Sequence, residues 1–103
     1  MSNPHFYPPG CSITAFEDIA GKRITVMGLG LNGGGEATVR FLLKHGALVT
    51  VTDMKTKDQL APTLNRLLPE MRKYGRRLKF ILGGHREEDF SSADIVIKNP
   101  GVK

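Results

Sequence analysis

The sequence predicts an α/β fold, an open parallel sheet between two layers of helices in a three-layer αβα arrangement. Short apolar, β-branched segments alternate with segments of helical spacing, and glycine-rich turns follow the strands. Strands that alternate with helices are joined by right-handed crossovers, which make neighbouring strands parallel. At 103 residues the chain is long enough for one core around one sheet.

The first half of the chain is predicted to hold a strand, a helix and a second strand. Residues 1–20 form a Pro- and Gly-rich lead-in with a weak helical turn at 14–20, and the domain itself occupies residues 21–103. Residues 23–29 form the first strand, because their apolar run is bounded by glycine turns. Residues 32–45 form a helix that Gly46 stops, and residues 48–52 form a second strand that ends at Asp53.

The second half predicts a helix and two further strands. Thr56-x-x-Gln59 has the form of a capping box and should start a helix that reaches residue 74. Pro69 should kink or split this helix, and Gly75 should end it. Residues 78–82 and 93–98 form the third and fourth strands, with a polar loop or single helical turn at 86–90 between them. Since the chain stops soon after the fourth strand, we expect a sheet truncated at its C-terminal edge, in a fragment of a larger protein.

A glycine motif joins the first strand to the first helix. Gly28-x-Gly30-x-x-Gly33 follows the strand, and Asp53 lies twenty positions after the last glycine. In a Rossmann-like βαβ unit the first glycine permits a tight turn, the second lets the backbone approach a phosphate, and the third lets helix and strand pack closely. The motif therefore predicts a nucleotide diphosphate at the helix N-terminus. The alternative is a glycine-rich turn that binds nothing.

Asp53 is the candidate contact for the nucleoside. Its carboxylate could accept hydrogen bonds from ribose hydroxyls, which is the dinucleotide interpretation, or from the imide N–H of a uracil ring. It could also be a solvated residue that caps Lys55 or Thr56. No basic residue directly follows Asp53, so nothing indicates a 2′-phosphate.

Two more loops should reach the same carboxyl edge, where open α/β sheets bind ligands. They are Gly83-Gly84-His85 and Asn99-Pro100-Gly101. His85 either contacts a phosphate or base or has no role in binding, and Lys98 and Asn99 either contact substrate or end a strand. The sequence contains no nucleophile–base pair, no metal-ligand cluster and no P-loop, so we expect no catalytic residue and no metal site.

Charge and hydropathy restrict the classes of partner that we expect for this chain. The net charge is +5, and much of the excess lies in a basic cluster. Its members are Arg66, Arg72, Lys73, Arg76, Arg77 and Lys79. We expect a solvated helix face, with a surface for a polyanion or a partner domain as the alternative. We expect no nucleic-acid partner, because no aromatic residues for base stacking are interleaved with these cations. With no apolar run of about 18 residues and no secretory signal, we expect a cytoplasmic protein that has no membrane partner. Cys11 is the only cysteine, so no intrachain disulfide can form.

Three segments together resemble the N-terminal domain of the Mur ligases, and most of all the D-glutamate-adding branch of that family. They are residues 21–33, 51–55 and 93–102, and the likeness extends over about residues 20–103. The glycine motif is shared with many dehydrogenases, whereas its combination with the terminal Asn99-Pro-Gly-Val is much more specific.

The resemblance implies a domain that binds the UDP part of UDP-N-acetylmuramoyl-L-alanine, a peptidoglycan precursor, rather than NAD. It implies a full-length enzyme that joins D-glutamate to the L-alanyl carboxyl, using ATP and magnesium, through an acyl phosphate. In the family ATP binds a central domain and the amino acid a C-terminal domain. We therefore expect those two domains as partners, no cofactor in this fragment, and no ligase activity from the fragment alone.

By position, the resemblance assigns Leu31, Asn32 and Gly33 to the diphosphate, Asp53 to the uracil, and Gly83 or Gly84 to the uridine pocket. The full set of candidate contacts is Gly28, Gly30, Leu31, Asn32, Gly33, Asp53, Met54, Lys55, Gly83 and Gly84. The chain departs from the family pattern at Asn32, usually Thr, at Gly33-Gly-Gly35, usually Gly-Leu-Ser, and at Met54-Lys55, usually Thr-Arg. The alternative function is an NAD-binding domain of a dehydrogenase or nucleotide sensor.

Overall fold

The computed structural model describes residues 19–31 and 33–99, which form a four-stranded parallel sheet. Its strands are β1 (Arg23–Met27), β2 (Leu48–Asp53), β3 (Leu78–Leu82) and β4 (Ile95–Lys98), in the spatial order β3-β2-β1-β4. All three neighbouring pairs are parallel. The predicted α/β fold with a Rossmann-like sheet is confirmed.

Four short helices connect the strands. They are α1 (Gly34–Lys44), α2 (Ala61–Arg66), α3 (Leu68–Tyr74) and α4 (Glu87–Ser91). The connections from β1 to β2 and from β2 to β3 run in one direction across the sheet, so right-handed crossovers place α1, α2 and α3 on one face. The connection from β3 to β4 runs in the opposite direction and places α4 on the other face. The hydroxyl of Thr25 in β1 donates to the carbonyl of Asp89, so α4 lies against β1.

The strand order reverses at β1, whose two neighbours are β2 and β4. Met27 at the end of β1 is in register with Thr52 of β2 and Lys98 of β4. The carboxyl ends of the central strands therefore lie level with each other at the point where ligands bind in such sheets.

The core is formed by the strands and by the apolar faces of α1, α2 and the segments beside them. Val26, Val39, Val51 and Leu67 are fully buried members of one hydrophobic cluster. Leu29 is also fully buried although it lies beyond β1. The start of the loop that carries the glycine motif is thus anchored in the core.

Several predicted boundaries were wrong by a few residues. β1 ends at Met27 instead of residue 29, because Gly28 turns the chain at a φ of 101°. α1 begins at Gly34 instead of residue 32. β4 begins at Ile95 instead of residue 93, since Ala93 still bonds back to the carbonyl of Phe90 in the turn after α4. The turn predicted at 14–20 falls mostly outside the described residues.

The predicted helix after β2 is interrupted by its prolines. The capping box forms, with the Thr56 N–H 2.8 Å from Gln59 Oε1 and the Gln59 N–H 3.3 Å from Thr56 Oγ1. It closes only one turn, and α2 starts at Ala61, because Pro62 has no N–H with which to continue the helical bonding from that turn. The split predicted at Pro69 is confirmed, since α3 starts at Leu68, and it ends at Tyr74, directly before Gly75.

Candidate functional site

Three loops meet at the carboxyl edge of the sheet. They are the glycine loop (residues 28–31 and 33), the β2 segment (residues 53–55, at the end of β2), and the β3 turn (Gly83-Gly84, after β3). The Gly83 N–H donates to the carbonyl of Lys55 at 2.9 Å, and the Gly84 N–H donates to the carbonyl of Asp53 at 3.1 Å. These bonds hold the β3 turn beside the β2 segment, at the same edge of the sheet, as the sequence predicted.

Asp53 joins the β2 segment to the glycine loop. Its Oδ2 accepts from the backbone N–H groups of Leu29 at 2.9 Å and Gly30 at 3.2 Å, and its Oδ1 accepts from the Lys55 N–H at 2.8 Å. The residue is only 7% exposed. Burial raises the pKa of Asp53, but the N–H donors of Lys55, Leu29 and Gly30 together lower it further, so the net pKa is below its ordinary value. The carboxylate is ionised at neutral pH and organises the loop.

The glycine loop has the backbone that its glycines permit. Gly30 and Gly33 have φ of 71° and 92°, and at both positions no atom of residues 19–31 or 33–99 lies within 4 Å of the place that a Cβ would occupy. Gly33 directly precedes α1 and has no side chain to cap it. The first-turn N–H groups of α1, with the positive end of the helix dipole, therefore remain available to an anion. Asn32, the remaining loop candidate, lies outside the described residues.

The packing role predicted for Gly33 belongs to Gly35. A Cβ at Gly35 would lie 2.2 Å from the carbonyl oxygen of Leu29 and 2.8 Å from that of Gly28. At Gly33 no atom of the described residues lies within 4 Å of that position. The first turn of α1 therefore packs onto the end of β1 through Gly35, which the sequence showed only as a departure from the family pattern.

The other candidates form the rim of the crevice. The side chains of Leu31 and Met54 are apolar yet exposed by 45% and 65%, and Lys55 is also exposed. Leu31 and Met54 flank the Gly30–Asp53 contact from the glycine loop and from the β2 segment. Apolar side chains in these positions could cover the face of a bound base or sugar.

The fourth strand and the β3 turn each contribute a polar side chain next to the crevice. Asn99 follows β4, and its Nδ2 donates to the carbonyl of Gly28 at 3.2 Å. His85 follows the glycine pair, and its Nδ1 lies 2.8 Å from Thr52 Oγ1, with the Phe90 ring 6.0 Å from its own. Asn99 therefore supports the glycine loop, and His85 is fixed against β2. Pro100 and Gly101 lie outside the described residues.

A further contact to the glycine loop comes from α2, and no feature of the sequence predicted it. The hydroxyl of Thr63 in α2 donates to the carbonyl of Gly30 at 2.8 Å. Because α1 and β2 lie between the two residues in the sequence, no local pattern could have indicated their contact.

The basic cluster is mainly solvated, as predicted, but two of its members bond within the domain. Arg77 donates to the carbonyls of Leu43 and Ala47 near the end of α1, at 2.9 and 3.0 Å. Arg66 pairs with Glu36 at 2.7 Å. Within residues 19–31 and 33–99, no group of three or more His, Cys, Asp or Glu side chains could hold a metal ion. In the same part of the chain, no helix has the length and apolar character of a membrane span.

Sequence comparisons relate the chain to one family of enzymes. The family model described as the N-terminal domain of MurD-like Mur ligases matches residues 22–103. The chain is 46% identical over 87 residues to the UDP-N-acetylmuramoylalanine–D-glutamate ligase of Borreliella burgdorferi (strain ZS7), covering 84% of the chain and 18% of that protein. It is 49% identical over 85 residues to the ligase of the same name from Treponema pallidum (strain Nichols), covering 82% of the chain and 15% of that protein.

A solved structure is similar in fold. Shikimate dehydrogenase from Aquifex aeolicus superposes with a TM-score of 0.57 at 25% sequence identity, over 82% of this chain and 26% of that one. The chain thus spans less than a fifth of the ligases it matches and about a quarter of the dehydrogenase.

Proposed function

The chain belongs to the family of MurD-like N-terminal domains of Mur ligases, and from this membership we propose that it binds the UDP part of UDP-N-acetylmuramoyl-L-alanine. The observation that carries the proposal is the junction of the glycine loop with Asp53 at the carboxyl edge of the sheet. The name of the relatives, UDP-N-acetylmuramoylalanine–D-glutamate ligase, pairs this substrate with D-glutamate.

The diphosphate binds at the start of α1. The glycine loop leaves the N–H groups there without a side-chain cap, and the helix dipole favours negative charge at that end. We assign Leu31, Asn32 and Gly33 to this contact, with Gly28 and Gly30 shaping the loop. The open space beside Gly30 and Gly33 supports the assignment, because a phosphate oxygen can approach the backbone there.

The uridine lies over the ends of β2 and β3. A carboxylate has about four lone-pair positions, and three backbone N–H groups already bond to that of Asp53. The remaining capacity suits a single donor such as the imide N–H of uracil, and suits the paired hydroxyls of a ribose less well. Gly83 and Gly84 line the pocket, and Met54 and Lys55 form its rim.

The relatives separate this proposal from the NAD alternative. The likeness to shikimate dehydrogenase supports a shared fold. The relatives that match the sequence at 46% and 49% identity are ligases.

We further propose that the domain acts within an ATP-dependent ligase. ATP, magnesium and D-glutamate then bind to other domains of that enzyme. The role of this chain is to hold the nucleotide end of the substrate while the L-alanyl carboxyl extends toward them. The domain alone is then expected to bind substrate without ligase turnover.

Isothermal titration of the 103-residue chain with UDP, UDP-N-acetylmuramoyl-L-alanine and NAD tests the proposal. We expect weak, saturable binding of both uridine nucleotides and none of NAD, because the glycine loop and Asp53 supply only part of the substrate's contacts. Uridine, which lacks the diphosphate, is the control and should bind more weakly than UDP. Saturable NAD binding without UDP binding would contradict the proposal.

A further inference from the structure

The peptide groups of Gly30 are held from two different elements. Its N–H donates to Asp53 at the end of β2, at 3.2 Å, and its carbonyl accepts from the Thr63 hydroxyl of α2, at 2.8 Å. Gly30 has a φ of 71°, which sets the direction of the N–H groups that follow it. A glycine has a wide choice of conformations. The two bonds select one of them.

Thr63 is itself fixed in place. It is fully buried, and its Oγ1 accepts from Arg66 Nη2 at 3.1 Å while donating to Gly30. A hydroxyl has one proton to donate. Because the guanidinium occupies an acceptor position of Thr63, it directs the hydroxyl proton toward the carbonyl of Gly30.

Arg66 also reaches the first turn of α1. Its Nε donates to Glu36 Oε1 at 2.7 Å, and Arg40 forms an ion pair with the other carboxylate oxygen of Glu36. Glu36 is 5% exposed. Burial raises the pKa of Glu36, but the hydrogen bonds and charges of Arg66 and Arg40 lower it further, so the carboxylate is ionised.

The Glu36 charge matters because it lies where an anion should bind. A carboxylate in the first turn of a helix competes with a phosphate for the positive end of the dipole. Arg66 and Arg40 neutralise it by direct contact. The Arg66 guanidinium thus shares in compensating the Glu36 charge and also directs the Thr63 hydroxyl that holds the loop.

We propose that Thr63 and Arg66 are positioning residues for the diphosphate, acting through the carbonyl of Gly30 and through Glu36. The inference rests on the proposed function, since it takes a nucleoside diphosphate as the ligand. Neither side chain needs to touch that ligand. The α2 segment, which no motif connects with binding, becomes a support of the binding loop.

Two threonine substitutions of the 103-residue chain test the proposal. Thr63→Val keeps the shape and removes the hydroxyl. Thr25→Val is the matched control, because Thr25 is also buried and its hydroxyl also donates to a backbone carbonyl, that of Asp89 in α4. Thr63→Ser restores the donor.

We expect Thr63→Val to weaken UDP binding roughly tenfold, because the loss of one hydrogen bond leaves the glycine loop less ordered. Uridine binding should change less, and Thr63→Ser should stay close to the wild type. Thr25→Val should reduce thermal stability and leave UDP binding unchanged. Equal UDP affinity in Thr63→Val and the wild type, or an equal loss in Thr25→Val, would overturn the proposal.

A second measurement needs no ligand. Amide hydrogen exchange at Leu29 and Gly30 should be faster in Thr63→Val than in Thr25→Val, after correction for global stability. If exchange at Leu29 and Gly30 is faster in Thr63→Val but the wild-type chain does not bind UDP, then Thr63 does position the loop and the proposed ligand is wrong. If protection at Gly30 is the same in both variants, the positioning claim is wrong.

Should Thr63→Val fail to fold, Arg66→Gln replaces it, because the Arg66 side chain is 46% exposed and tolerates change more easily. Removing the guanidinium leaves Glu36 with Arg40 alone. We expect UDP binding weakened roughly tenfold and restored in part by Arg66→Lys. Unchanged affinity in Arg66→Gln would overturn the proposal.

Discussion

The carboxylate of Asp53, the last residue of β2, accepts a hydrogen bond from the backbone N–H of Leu29 at 2.9 Å. Leu29 is fully buried and lies at the root of the glycine loop. The bond ties that loop to the neighbouring strand before any ligand arrives. An acid at this position of a nucleotide-binding sheet can thus serve the loop as well as the ligand.

Replacing Asp53 should therefore affect both stability and binding. Asp53→Ala leaves the buried N–H of Leu29 without its acceptor, which should lower the free energy of unfolding by about 1–3 kcal/mol. UDP binding should weaken as well, because the loop loses its anchor and the uracil its acceptor. Chemical denaturation and calorimetric titration measure the two effects.

The matched control is Asp94→Ala. Asp94 also accepts a backbone N–H, that of Arg23 at 2.8 Å, but at the amino end of the sheet. This variant should lose some stability and bind UDP normally. Unchanged UDP affinity in Asp53→Ala would mean that Asp53 is only structural.

The Asp53 contribution should depend on pH in one direction. Its folded-state pKa lies below the ordinary 3.8, so it stabilises the fold fully above that value and loses this effect as the pH falls through the folded pKa. The stability difference between the wild type and Asp53→Asn should be largest near neutral pH and shrink in acid. A difference that stays constant across the acid range would contradict the assigned ionisation.

Adjacent glycines at the start of α1 should respond in opposite ways to alanine. In Gly35→Ala the new Cβ would lie 2.2 Å from the carbonyl oxygen of Leu29, a backbone atom that cannot easily move. We expect a loss of about 3 kcal/mol or more in the free energy of unfolding. Among the described residues, the Cβ of Gly34→Ala would meet the Asn99 side chain alone, at 3.7 Å, so this change should stabilise the helix by up to about 1 kcal/mol. Thermal denaturation of the pair measures this contrast, and a mild effect at Gly35 would contradict the packing described.

Gly30 and Gly21 offer a second matched pair. Both have positive φ, 71° and 75°, and open space where a Cβ would lie, but Gly21 bonds to Gly46 at the opposite edge of the sheet. Each alanine variant should lose about 1–2 kcal/mol of stability from backbone strain. Only Gly30→Ala should also lose UDP affinity, by at least about tenfold. Equal UDP affinity in the two variants would mean that Gly30 is not part of the binding site.

The sequence predicted the elements of this fold because each has a local cause. Apolar runs bounded by glycine set the strands, and Pro69 and Gly75 set the limits of α3. The position of Asp53 at the carboxyl edge followed from the same reasoning. Boundaries were less certain, since Pro62 delays a helix that the capping box had already begun.

The supporting contacts of the site could not be predicted in the same way. Whether Gly33 or Gly35 packs against β1 depends on the exit angle of α1, which no spacing in the sequence determines. The bond from Thr63 to Gly30 joins residues on different elements, and it exists only because the sheet brings α2 beside the loop. Local patterns identify the loop, and tertiary packing decides what holds it.

The central claim is that this domain holds a uridine diphosphate on its glycine loop. The most direct test is an amide NMR titration of the isotopically labelled chain with UDP and, separately, with NAD. We predict saturable shifts with UDP at the amides of Gly30, Gly33 and Gly34, together with Asp53 and Gly84, and no such shifts with NAD. Saturable shifts of these amides with NAD and none with UDP would contradict the account.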